Sequence, residues 1–200
     1  MGVWASRLGA LKRRLLLLLG PTKSEEAIIK GVLGRPVGGE ELRIHPVRDE
    51  DRDFIDRVLE ERWGGPAQVV NGESYRPAEL PGFVAVEDDE RVGYAPYRIE
   101  GDTCEIVLLQ SLHEGHGVGS ALVAAVVEEA RARGCGRVTV VTTNDNVHAK
   151  GFYEMLGFRL AEVRPGAVTR SREVKPSIPL VGEGGAPITD ELVLELEITD

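Results

Sequence analysis

The sequence predicts an α+β fold with a sheet that starts antiparallel and holds one strand–helix–strand crossover at its centre. Three observations carry this. "GFVAVED" (82–88) and "RVGYAPYRI" (91–99) are two apolar runs joined by a short acidic turn, the pattern of a hairpin. "TCEIVLLQSL" (103–112) reads as a strand that runs straight into a loop with glycine at 115, 117 and 119. A helical apolar period then leads to "RVTVVTTN" (137–144), β-branched and buried in character.

The elements follow in order. "LRIHPV" from Leu42 alternates and reads as a strand. In "DEDRDFIDRVLEERW", Phe54, Ile55, Val58 and Leu59 share one helical face, with acids in the first turn. Residues 63–80 read as irregular, broken by Gly64, Gly65, Pro66 and Pro77. After the glycine loop, Val118, Ala121, Leu122, Ala125, Val126 and Ala130 keep the 3.6 period until Gly134 and Gly136 stop it. "VHAKGFYEMLGF" is a short helix ended at Gly157, and "RLAEV" is a strand. The span 164–189 has no evident secondary structure, and "ELVLELEI" closes the chain as an alternating strand. There are no internal repeats.

Composition separates two parts, a basic extension and linker at 1–41 and a domain at 42–200. Of 24 Lys and Arg and 33 Asp and Glu, residues 1–40 hold seven and three, a charge of +4. The rest hold 17 and 30, a charge of −13. An acidic domain excludes general nucleic-acid binding and draws cationic ligands. No run reaches the roughly 18–20 apolar residues that span a bilayer. Trp4, Leu8, Leu11, Leu15 and Leu18 keep helical spacing beside Arg7, Arg13 and Arg14. A contact of residues 1–20 with a membrane surface or a partner stays open, as does a homodimer. Cys104 and Cys135 lie far apart and in no metal spacing, so reduced thiols, a cytoplasmic location and no metal are expected.

Glycines at a helix start put backbone N–H groups within reach of an anion, and the helix dipole favours negative charge there. A P-loop needs Lys before Ser or Thr at the loop end, and Gly119 is followed by Ser120 and Ala121. A dinucleotide fingerprint fails too, because its third glycine falls at Ser120.

"LHEGHGVGSAL" and "NVHAKGFYEMLGF" together resemble the GNAT superfamily of acetyl-CoA-dependent N-acyltransferases. Gly117 and Gly119 take its loop positions. Asn146, Ala149, Phe152, Tyr153, Gly157 and Phe158 take its second motif without a gap. The resemblance covers about residues 42–163. It implies a mixed, mostly antiparallel sheet of about six to seven strands flanked by about four helices. It implies acetyl-CoA as co-substrate, its pyrophosphate on the amides of Glu114, Gly115, His116, Gly117, Val118, Gly119 and Ser120. The pantetheine arm would pair with Val107, Leu108 and Leu109, where an N–H polarises the thioester carbonyl. Asn146 would hold that arm, and Tyr153 would protonate the departing thiolate.

The family's first loop position is Arg or Gln; here it is Glu114, whose carboxylate should repel a phosphate unless it turns outward. His113, His116 and Lys150 could compensate. Glu105 is the first candidate base for the amine, with Tyr94, Tyr97, Asp145 and His148 behind it. The span 164–189 is expected to wall the acceptor cleft. Its Arg170 and Arg172 are the candidate acceptor ligands, suited to an amine that also bears a carboxylate or phosphate. The leading expectation is acetyl transfer to a primary amine of a small molecule or peptide by direct attack in a ternary complex. A silent acyl-CoA-binding module and a protein-directed acetyltransferase are the alternatives.

Overall fold

Alternation and helical period translate into ten strands and four helices in the computed structural model, which describes residues 42–70, 72–182 and 184–198. The N-terminal extension expected at 1–41 lies outside the described residues. The strands are β1 (Arg43–Pro46), β2 (Gln68–Val70), β3 (Glu73–Tyr75), β4 (Gly82–Glu87) and β5 (Glu90–Glu100), then β6 (Thr103–Ile106), β7 (Gln110–Ser111), β8 (Arg137–Thr143), β9 (Arg159–Arg164) and β10 (Glu191–Glu197). The helices are α1 (Arg52–Trp63), α2 (Val118–Ala132), α3 (Val147–Met155) and α4 (Ala167–Val174). The main sheet runs β1-β4-β5-β6-β8-β10-β9, with β7 also on β5; β2 and β3 form a separate hairpin. All neighbours in the main sheet are antiparallel except β6 and β8, the two strands joined through α2.

Side-chain alternation splits the core between the two faces of the sheet. Phe83, Ala85, Cys104, Ile106, Val138, Val140, Leu194 and Leu196 pack against Val118, Leu122, Val123 and Val126 of α2. Val84, Val86 and Tyr94 pack on the other face against Phe54, Ile55, Val58 and Leu59 of α1. Each fully buried aliphatic side chain contributes roughly 1.5–3 kcal/mol. The acidic turn of the β4–β5 hairpin is tight: Asp88 and Asp89 both take positive φ, 56° and 60°, as a two-residue turn of primed type requires. Both cysteines are free and buried, and burial pushes the Cys104 thiol up to about 12.

Three expectations are corrected. The strand expected over 103–112 is interrupted after Ile106 and resumes at Gln110. The span 63–80 holds the β2–β3 hairpin. The span 164–189 holds α4, in which only Ala167, Val168 and Ser171 are buried and Val174 is exposed, too weak a stripe to read from sequence. Lys175, just past α4, donates to Trp63 O (2.8 Å), Ala67 O (2.9 Å) and Gln68 Oε1 (3.2 Å), fastening the C-terminal span to the end of α1. Burial lowers the Lys175 pKa.

Candidate active site

A one-residue bulge creates the central feature. Ile106 faces Tyr97 and Gln110 faces Tyr94, four steps along one strand against three along the other. The extra residue lifts 107–109 out of the ladder. Val107 N still reaches Pro96 O (3.0 Å), but the amides of Leu108 and Leu109 donate to no described group. On the other side, β6 and β8 pair only from Thr103↔Arg137 to Ile106↔Val140. Beyond that, Val141, Thr142 and Thr143 pair with β10 alone. A gap therefore opens between two strand ends at a point where parallel strands diverge, the usual place for a ligand in such sheets.

The glycine loop sits at the open end of this gap. Gly117 caps α2 with φ 81°, a left-handed conformation that side chains resist. From His113 to Ser120 no backbone N–H donates to a described group; the first helical bond is Ala121 N to Gly117 O (2.9 Å). These are the orphan donors of a helix start, aimed with the positive end of the dipole. Gly119 serves packing as well, because a Cβ there would lie 3.2 Å from the ring of Phe152 on α3. The glutamate at 114 is exposed, so its amide can serve without its carboxylate. His113 meets Glu87 at 2.9 Å, and Lys150 pairs with Glu154 at 3.0 Å. Glu87, His113 and His116 bring ligand-type atoms within 4.8 Å of one another, a grouping the sequence hid because Glu87 sits on β4. We read it as support for the loop base, since Glu87 is already engaged by His113 and both histidines are exposed.

Tyr153 and Glu105 lie on opposite faces of the sheet. Tyr153 belongs to the α2-side core, only 4% exposed, edge-on to Phe152 (5.1 Å) and Phe158 (5.4 Å). Burial pushes its phenol well above the usual range. Asn146 is exposed and caps α3, its Oδ1 accepting from Ala149 N (3.0 Å). That leaves its amide NH2 for another partner.

Glu105 alternates with Cys104 and Ile106, so it faces the α1 side. There it lines a cleft of about 620 Å³ together with Val70, Tyr75, Arg98, Thr139, Val141 and Glu195, among others. Its Oε2 accepts two bonds from Arg98, 2.9 and 2.7 Å. The Arg98 guanidinium also stacks 4.5 Å over the Tyr75 ring. Burial and the hydrogen bond to Glu73 raise the Tyr75 phenol to about 12. Sequence reading missed Tyr75, Arg98, Thr139 and Glu195. Strand register was the available signal, since Arg98↔Glu105, Glu105↔Thr139 and Thr139↔Glu195 form one row.

Three of the other base candidates are engaged elsewhere. Tyr94 is fully buried and donates to Pro77 O (2.6 Å). Tyr97 belongs to the α2-side core, and Asp145 accepts from Thr143 Oγ1 (2.5 Å). His148 is exposed on α3.

Arg170 and Arg172, the residues expected to hold the acceptor, have backbone partners of their own. Arg172 turns inward and donates to the carbonyls of Ile178 (3.1 Å), Ile188 (2.7 Å) and Pro179, closing its own loop. Arg170 donates to Pro165 O (3.2 Å), and neither residue lines the cleft. Backbone carbonyls left unpaired by a proline-rich span attract these guanidinium groups more strongly than an open surface does.

The profile of the acetyltransferase (GNAT) family matches residues 41–158. Two uncharacterized proteins of Bacillus subtilis strain 168 are similar. YxbD is 37% identical over 158 residues, covering 78% of this chain and 99% of its own. YdhI is 42% identical over 151 residues, covering 75% and 94%. Among solved structures, a Bacillus subtilis acetyltransferase in complex with CoA shares 20% identity at a TM-score of 0.56, over 80% of this chain and 100% of that one. The IAA acetyltransferase of Bacillus cereus also shares 20%, at 0.61, over 79% and 100%. No helix among the described residues is long and apolar enough to cross a membrane.

Proposed function

The chain belongs to the acetyltransferase (GNAT) family and is an acyltransferase; we propose that it moves the acetyl group of acetyl-CoA to a primary amine by direct attack. The observation that carries this is the gap at the 107–109 bulge. It has unpaired amides along one edge, a glycine-capped helix start at its mouth, and a carboxylate-bearing cleft on one face. The pyrophosphate lies on the amides from Glu114 to Ser120. The pantetheine arm runs along Val107–Leu109 as an added strand, with Asn146 beside it. One of the free amides at Leu108 and Leu109 holds the thioester carbonyl as negative charge develops on its oxygen.

In this reading the acceptor enters from the α1 side and the donor from the α2 side. The ammonium gives a proton to Glu105, and its nitrogen bonds to the acetyl carbon. The carbon–sulfur bond breaks, the departing thiolate takes the phenol proton of Tyr153, the second proton shed by the new amide nitrogen restores the phenol, and Glu105 releases its own proton to solvent. A buried phenol with a raised pKa keeps that proton throughout the neutral range. Arg98 is a positioning residue, holding Glu105 by its two hydrogen bonds.

The test is a thiol-release assay with acetyl-CoA and a panel of amines, with product masses checked. Acetylated amine forming in step with free CoA supports the proposal. Tight CoA binding with no amine acetylated overturns it in favour of a silent binding module.

A further inference from the structure

We propose that the acceptor is a linear diamine, or a longer amine with a second charge similarly spaced, lying along the row Glu105–Thr139–Glu195. This rests on the acetyl-transfer reading above. Glu73, Glu100, Glu105, Glu162 and Glu195 line the cleft against Arg98, Arg137 and Arg164, an excess of two acids. All three arginines are engaged. Arg98 is held by Glu105 at 2.7 Å, Arg137 by Asp102 at 3.0 Å, and Arg164 by Glu162 at 3.0 Å. Arg137 Nε alone has no partner, but it is buried and its two other nitrogens already meet Asp102 and Glu195, so no open guanidinium fork faces a carboxylate or phosphate on the acceptor. With Arg170 and Arg172 bound to carbonyls, the anionic group expected from sequence has no receptor there.

The acids are less completely matched. Glu195 has Arg137 only at 3.5 Å, farther than the Asp102 contact that arginine already makes. Glu100 is 85% exposed and 3.9 Å from Arg98. Glu73 accepts from the neutral Tyr75 hydroxyl. Excess negative field in a walled cleft selects cations.

Register sets the spacing. Glu105, Thr139 and Glu195 are direct neighbours across β6, β8 and β10. Strands lie about 4.8 Å apart, so the two carboxylate-bearing positions are separated by about 10 Å. Val141 and Val193, paired with each other, lie alongside as an apolar floor for a methylene stem. A chain of about six carbons between two nitrogens spans this distance. One amine sits at Glu105 beside the gap, and the second ammonium is held at Glu195 with Glu162 nearby.

Three acceptors of one stem length separate the possibilities: 1,6-diaminohexane, n-hexylamine and 6-aminohexanoate. They share the reacting amine and differ in the far end, which is positive, neutral or negative. The inference expects kcat/KM to be at least tenfold higher for the diamine than for hexylamine, with aminohexanoate lowest. Glu195→Gln should pull the diamine-to-hexylamine ratio toward one, and added salt should do the same. Equal rates for all three, or aminohexanoate as the best acceptor, overturn the diamine inference and leave acetyl transfer standing. Calorimetry on the CoA-loaded protein covers the remaining case. A diamine that binds, loses affinity in Glu195→Gln and is never acetylated overturns acetyl transfer and keeps the charge preference. No binding and no reaction overturn both.

Discussion

On the side of the gap proposed for the donor, everything from Val107 to Ser120 lies in one run of chain, and Asn146 to Phe158 follows after one helix and one strand. On the acceptor side, Tyr75, Arg98, Glu105, Thr139 and Glu195 come from five strands spread over 120 positions of sequence. The donor side presents main-chain N–H groups, which any residue supplies once the backbone is bent correctly. The side proposed for the acceptor presents side chains, whose identity would be the recognition itself. One half of the site is thus a backbone shape set by glycine and a bulge. The other is a charge pattern set by register, free to change without disturbing the fold.

The largest tests ask whether the two faces divide the proton transfers. Tyr153→Phe and Glu105→Gln should each lower kcat by about 10²-fold, with the KM for acetyl-CoA nearly unchanged. Steady-state kinetics on both substrates decide it, and an unchanged kcat removes the residue from the mechanism.

Next in size is Lys175→Met, which leaves three acceptors without their shared donor. Loss of charge-assisted hydrogen bonds should cost about 2 kcal/mol, seen as a lower urea midpoint. Because Lys175 ties down the start of the β2–β3 hairpin, whose Val70, Glu73 and Tyr75 line the cleft proposed for the acceptor, the acceptor KM should rise while CoA affinity stays. A matching loss of CoA affinity would erase the distinction between the sides.

Glu114→Arg is smaller. The position is exposed, so exchanging one sign of charge near the phosphates should tighten acetyl-CoA binding less than tenfold and more weakly at high salt. No change would mean that only the amide of residue 114 serves.

A pH limb tests the buried phenols on which the donor side rests. Burial raises Tyr97 to about 12, with Glu129 adding to it, and raises Tyr153 further. Below the ordinary phenol pKa of about 10 both folded and unfolded chains keep these protons, and stability is flat. Above it the unfolded chain ionises first, so stability falls as pH rises. Denaturation midpoints at pH 9 and 11 test the sign.

What could be read in the sequence follows the same division. Gly117 and Gly119 with the Asn146–Phe158 motif stood out because a local backbone demand leaves a local mark. The alternation of β4, β5, β8 and β10 and the period of α2 were legible because each buries a full face. Arg98 over Glu105 was not read, since the pair depends on the register of the β5–β6 hairpin, which alternation alone does not fix. The same holds for Arg172: as a string it is one more positive charge, and its three carbonyl partners appear only when the loop is folded. The bulge was missed because Val107, Leu108 and Leu109 are as apolar as any strand.

The eight-stranded sheet is, in its hydrogen bonding, two sheets joined over four residue pairs, Thr103–Ile106 with Arg137–Val140. The strands β8, β10 and β9 meet the N-terminal half in the sheet only at that short seam; α2, and the contacts of Ser171 and Lys175 with the β2–β3 hairpin and the end of α1, are other links. A donor lying in the gap would lengthen the seam, so its affinity would also become adhesion between the halves. At a hundred times its Kd this adds about 2.7 kcal/mol to the folded state. Amide hydrogens of β8 and β10 would then exchange more slowly when CoA is present, although most of them never touch it.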